Sequence, residues 1–205
     1  MNALVLVDIQ NDFMPFGALP VAEGDAVVAI ANALATRFDL VVATQDWHPA
    51  SHGSFAVNHF GHAPGDVIDL GGVSQVLWPS HCVQDTPGAS FHSALDVGRV
   101  GHVVRKGADT GIDSYSGFFD NDHRTATGLE ALLRSLQVRR VTVCGLATDY
   151  CVKFTALDAV ALGFGVSVVS DGCRAVDLAP GDGERALGEM AATGCAVVTS
   201  AELLG

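Results

Sequence analysis

The segment Val141–Gly163, VTVCGLATDYCVKFTALDAVALG, decides how the rest of the chain is read. It opens on an apolar run rich in β-branched residues, the pattern of a buried strand, and Gly145 breaks that run. From Asp149 to Leu162 apolar residues recur at helical spacing, and Gly163 supplies a stop. A strand that passes through a tight turn into a helix is half of a βαβ unit, and the same alternation extends in both directions. Ala3–Val7, Leu40–Ala43, His102–Arg105, Val166–Val169 and Ala196–Thr199 read as further strands, and Asp25–Arg37, Thr127–Leu136 and Pro180–Ala192 as further helices. Because the strand runs are continuously apolar, both faces of the sheet must be covered. The expected fold is a three-layer α/β/α arrangement on a six-stranded, mostly parallel, Rossmann-like sheet with right-handed crossovers.

At 205 residues with 49% hydrophobic content the chain can fill one large core, so a single domain spanning 1–205 is expected. The formal charge of -12 argues against nucleic acid or an anionic membrane as partner, since both require a cationic face. A small neutral substrate suits that balance. The N-terminal segment has no basic flank, no cleavage site and no span long enough for a bilayer, which points to a cytoplasmic protein. Cys82, Cys144, Cys151, Cys173 and Cys195 form neither an even framework nor a CxxC pair, so neither disulfides nor a thiolate zinc site is expected. Cys144 and Cys195 sit in apolar runs as small hydrophobes. Nothing in the sequence decides between monomer and homo-oligomer.

The stretch from about 46 to 99 breaks the alternation and is rich in Gly, Pro, Ser and His. Six of the eight histidines and both tryptophans fall there, so this long loop reads as functional rather than disordered. In an open parallel sheet, ligands bind at the carboxyl ends of the strands. Asp8 ends the first strand, Asp46 and His48 follow the second, Lys106 ends the third, and the Gly145–Cys151 turn follows the fourth.

Cys151 falls in the first turn of a helix, where free N–H groups and the macrodipole favour a thiolate and can hold an oxyanion. By itself the segment is equally compatible with an ordinary capped helix carrying a buried cysteine. Asp8 and Lys106 allow two readings as well, a structural ion pair or a base and its cation beside an activated thiol. Together with Cys151 they favour the second, in which Asp8 takes the thiol proton. In TQDWHPASHGSF, Asp46, His48 and His52 offer a carboxylate and two imidazoles, with His81 further on in WPSHC; such donors suit zinc, iron or manganese. His59, His62, His92, His102 and His123 read as surface or loop residues.

These residues resemble the isochorismatase-like cysteine hydrolases, and within them the bacterial nicotinamidases. The likeness runs through LVDIQNDF, TQDWHPASHGSF, WPSHCVQDTPGASFH, KGADTGIDSYSGFFD, GLATDYCVKFTALDA and SDGCRAV. It implies a catalytic triad of Asp8, Lys106 and Cys151, and one divalent metal, zinc before iron or manganese, on Asp46, His48 and His81, with His52 a further ligand in some members. It implies a cis peptide between Leu146 and Ala147, with the N–H groups of Ala147 and Cys151 as the oxyanion hole. Phe13, Trp78 and Tyr115 match the walls of the substrate pocket, although Phe13 also reads as ordinary aromatic core. The implied activity is hydrolysis of nicotinamide to nicotinate and ammonia through a thioester, with pyrazinamide also accepted. A carbamoyl or ureido amidohydrolase of the same superfamily would keep the triad but normally lacks the metal set. A noncatalytic protein of the same fold typically replaces the nucleophile.

Overall fold

A computed structural model describes residues 1–205. The first strand, β1 (Asn2–Val7), is buried along Ala3–Val7, with none of these residues more than 1% exposed. Each Val or Leu so buried contributes roughly 1.5–3 kcal/mol, which draws this strand to the centre of the sheet. After it come α1 (Ala26–Ala35), β2 (Leu40–Asp46), β3 (Val67–Leu70), β4 (Val73–Val76), β5 (His102–Lys106), α2 (Leu129–Ser135), β6 (Arg140–Leu146), α3 (Lys153–Ala161), β7 (Gly165–Arg174), α4 (Asp182–Thr193), β8 (Ala196–Val198) and α5 (Ser200–Leu204).

Six strands form one sheet in the order β5-β2-β1-β6-β7-β8, and every pair in it is parallel. All six are those read from the sequence. Helix α1 packs with α5 over β6 and β7, while α3 packs with α4 over β7 and β8. A single cluster of 43 buried apolar residues links the layers. No helix is long and apolar enough to cross a membrane.

Three elements were not legible in the sequence. Strands β3 and β4 pair as a small antiparallel hairpin within the long loop, and α5 is a five-residue helix closed by a capping box between Thr199 and Glu202. Strand β7 also runs past its apolar stretch. A bulge opposite Val143–Gly145 resets the register, so that Cys173 and Arg174 pair with Gly145 and Leu146.

The chain leaves the top of the sheet sharply at β1 and β6. Asp8 has φ 48° and Gly145 has φ 126°. A Cβ on Gly145 would lie 2.1 Å from the carbonyl oxygen of Val7, so only glycine lets these neighbouring strand ends approach. That approach sets Asp8 beside the turn that carries Cys151.

Candidate active site

Four adjacent strands supply the site: Lys106 from β5, Asp46 from β2, Asp8 just beyond β1, and Cys151 from the turn after β6. Asp8 and Lys106 are not on neighbouring strands, because β2 lies between theirs. Lys106 therefore reaches across and meets Asp46 as well, which sequence reasoning did not anticipate.

The Lys106 ammonium is fully buried and has three hydrogens to donate. They go to Asp46 Oδ1, to the carbonyl of Ser114 at 2.8 Å and to Cys151 Sγ at 3.4 Å. Asp8 Oδ2 lies 2.9 Å from the same nitrogen, an ion pair without hydrogen-bond geometry, so this buried oxygen has no donor. Its partner oxygen, Oδ1, accepts the Thr44 hydroxyl at 2.6 Å. Asp8 and Cys151 offer a carboxylate oxygen and a sulfur within 4.8 Å of one another. Asp8, one of whose oxygens has no donor, thus lies beside the Cys151 thiol, the S–H donor of the group.

Burial pushes the Asp8 carboxyl up to about 6; Lys106 opposes the rise and Asp46 adds to it. For Asp46 burial also acts upward, but Lys106, His48 and His81 outweigh it and hold this carboxyl well below the usual range. Lys106 is held protonated, because the two aspartates overcome its own burial. The Cys151 thiol moves opposite to expectation. Burial, reinforced by Asp8 and Asp46, raises it well above its ordinary value despite Lys106. Helix position alone suggested a thiolate, but Cys151 lies in a π-helical turn, Thr148–Val152, ahead of α3, and only 7% of it is exposed. It rests as a thiol and needs a base at the moment of attack.

The peptide bond between Leu146 and Ala147 is cis. The N–H of Ala147 donates to no protein acceptor, and Ala147 lines the same cavity as Cys151.

Beside this group sit Asp46, His48 and His81, whose donor atoms lie within 4.8 Å of one another. His48 Nδ1 lies 2.8 Å from the carbonyl of Gly107, and His81 Nδ1 2.8 Å from that of Pro79. A carbonyl only accepts, so each Nδ1 carries its hydrogen, and in the neutral ring, the form that ligates a metal, each Nε2 keeps a lone pair. Those lone pairs lie 3.6 Å and 3.9 Å from Asp46 Oδ2, the oxygen that Lys106 leaves free. Imidazoles fixed through Nδ1 by backbone carbonyls are the usual partners of a divalent ion, and this donor set fits one. Burial, then His48, lowers His81 to about 4, so that its ring is neutral and able to ligate.

His52 does not join this set. Its Nδ1 accepts from Ser54, whose hydroxyl is 2.7 Å away and whose N–H is 3.2 Å away, and its Nε2 donates to the carbonyl of Ile112 at 3.2 Å. Both nitrogens are in use, and the ring packs at 4.4 Å from that of His48 as a neighbour in a second cluster with Asp113.

One cavity is lined by Cys151, Asp46 and His81 together. The rest of its wall is mostly apolar, which suits an uncharged ring beside a few polar groups. Phe13, Trp78 and Tyr115, the positions the resemblance pointed to, line it. Trp78 Nε1 donates to the Tyr115 hydroxyl at 3.2 Å, and Tyr150 packs edge-on against Trp78 at 4.9 Å. Leu19, Asp113, Tyr150 and Val176 complete the wall. Sequence reasoning gave none of these four a site role; for Tyr150 the adjacency to Cys151 was the available signal.

A model of the isochorismatase domain matches residues 2–202. A nicotinamidase of Escherichia coli (strain K12) is 48% identical over 205 residues, covering 98% of this chain and 96% of that protein. The solved structure of an Acinetobacter baumanii nicotinamidase/pyrazinamidase superposes with a TM-score of 0.95 at 46% identity, over 98% of this chain and 97% of that one. A pyrazinamidase of Pyrococcus horikoshii, solved in complex with zinc, gives a TM-score of 0.78 at 40% identity, over 97% and 98% of the two chains.

Proposed function

The chain belongs to the isochorismatase family, and from that premise we propose that it is a nicotinamidase, a cysteine amidohydrolase that converts nicotinamide and water to nicotinate and ammonia and also accepts pyrazinamide. The observation that carries this reading is the shared cavity: Cys151 lines it together with Asp46 and His81, and Asp8 and His48 cluster with these residues behind its wall. The metal set is what separates it from a carbamoyl or ureido amidohydrolase. The similarity to nicotinamidases over nearly the whole chain supports the same choice and the reading of 1–205 as one domain.

The steps follow from the residues in place. Phe13, Trp78, Tyr115 and Tyr150 hold the aromatic ring and leave its carboxamide over Cys151. When bound by Asp46, His48 and His81, a divalent metal, zinc by preference, supplies a Lewis-acidic point for the ring nitrogen and for water. Cys151 Sγ attacks the carbonyl carbon while its proton passes to Asp8 Oδ2, the buried oxygen with no hydrogen-bond donor. The developing oxyanion is received by the N–H groups of Ala147 and Cys151. Lys106, in contact with both Sγ and Asp8, keeps a positive charge beside the sulfur as negative charge builds on it. As the C–N bond breaks, Asp8 returns the proton to the departing nitrogen, and ammonia leaves. Asp8 then takes a proton from water, which attacks the thioester carbon; the proton goes back to sulfur as nicotinate is released.

The test is ammonia release over a small panel of aromatic carboxamides, beside elemental analysis of the purified protein. Wild type is expected to turn over nicotinamide and pyrazinamide with about one metal per chain, and Cys151→Ala to release none while keeping its metal. Full activity in that variant would sink the covalent route.

A further inference from the structure

We infer that Gln10 is a positioning residue for the metal set, its side-chain amide standing in for a strand that is missing beside Asp46. Strands β1 and β2 stay in register only as far as Leu6 and Ala43. Beyond that pair the chain turns away at Asp8, and Gln10 N–H folds back onto the Asp8 carbonyl at 2.8 Å. Asp46, the last residue of β2, is still paired with Lys106 of β5 on one side but has lost its neighbour on the other. Gln10 fills that gap. Its Oε1 accepts the Asp46 N–H at 2.8 Å, and its Nε2 donates to the Asp46 carbonyl at 2.8 Å and to the Ala89 carbonyl at 2.9 Å.

Both backbone groups of Asp46 are therefore held by one amide, and that amide has no unused hydrogen. Flipping it would set oxygen against two carbonyls, so the assignment is forced. The clamp is fully buried, with Gln10 at 0% and Asp46 at 3% exposure. With its main chain fixed from both sides, Asp46 can turn one carboxylate oxygen to Lys106 and the other to His48 and His81. Without Gln10, two buried backbone groups would need new partners, and the carboxylate would lose the frame that aims it. Gln45 serves as an internal control. It donates to the same Ala89 carbonyl at 2.9 Å and accepts from Arg105 Nε at 3.2 Å, but its side chain makes no hydrogen bond to the Asp46 backbone.

The proposal rests on reading Asp46, His48 and His81 as metal ligands. It is tested by zinc affinity, measured by competition against a chromogenic chelator, in wild type, Gln10→Met, Gln10→Glu and Gln45→Met, each checked for fold by circular dichroism with metal removed. Gln10→Met keeps length without hydrogen bonds, and Gln10→Glu keeps shape and the acceptor but not the donor. Both should raise the zinc dissociation constant by roughly 10–100-fold, the range seen when a group behind a metal ligand is removed. Gln45→Met should stay near wild type, and saturating zinc should bring kcat of the Gln10 variants back. Wild-type affinity in either folded Gln10 variant overturns the proposal, as does an equal loss in Gln45→Met. Failure of the wild-type protein itself to bind zinc overturns the metal reading and the proposal together.

Discussion

Replacing Lys106 by Met removes the one cation that two buried carboxylates share. The side chains of Lys106 and Asp8 are fully buried and that of Asp46 is 5% exposed, so water cannot take over. Breaking one buried ion pair costs about 3–5 kcal/mol, and here a single substitution strands two partners, which places the expected loss at the upper end of that range. With a urea slope of about 2 kcal/mol per molar, the unfolding midpoint should fall by roughly 2 M. The assay is urea denaturation of metal-free wild type and variant, followed by two probes to check two-state behaviour. The sign with pH is also fixed. Without Lys106 burial is opposed only by Thr44 at Asp8 and by His48 and His81 at Asp46, so both carboxyls rise, and proton uptake relieves them; the deficit should shrink from pH 8 to pH 5. A loss below about 1 kcal/mol, or a deficit that grows on acidification, would refute the shared-cation account.

Because Asp8 must be ionised to accept the thiol proton, kcat/KM should fall on the acid side with an apparent pKa near 6, where burial places this carboxyl. Its folded value lies above the ordinary 3.8, so the stability it contributes is complete below about 3.8 and is lost as pH rises through about 6. Activity and this part of stability therefore run in opposite directions, which a pH–rate profile set beside pH-dependent unfolding will reveal. His81→Ala should bring bound metal well below one per chain, whereas His52→Ala should retain it, because both His52 nitrogens already serve Ser54 and Ile112; elemental analysis distinguishes the two. Gly107→Ala should destabilise by about 1–3 kcal/mol and weaken metal binding, since its Cβ would lie 2.3 Å from His48 Cε1 at a residue with φ 63°. Thermal unfolding with and without zinc checks both effects.

The six strands were legible because a strand buried on two faces leaves a continuous apolar run, as ALVLV does in β1. The β3–β4 hairpin leaves no such mark: its strands have four residues each, β3 alternates exposed with half-buried positions, and the one buried residue of β4 is the polar Gln75. For the site, strand-end logic located Asp8, Asp46, Lys106 and Cys151, since a polar residue closing an apolar run is conspicuous. Gln10 and Asp113 were not visible, because what matters in them is which backbone or cluster their side chains meet, and that depends on long-range register. The surroundings of the thiol were hidden for a related reason. A sequence shows that Cys151 begins a helix, but not how deeply it is buried or that two carboxylates lie beside it.

The order of strands has a consequence for how the protein is made. Asp8 belongs to the first strand to emerge during synthesis, while Cys151 follows the fourth strand of the sheet in chain order, yet β1 and β6 are immediate neighbours. The sheet's centre cannot close until β6, which ends at Leu146, has been made. Until then Cys151 has neither its base nor its cation. A nascent or partly unfolded chain thus carries no nucleophile capable of this chemistry, and reactivity switches on only when the two ends of the site meet.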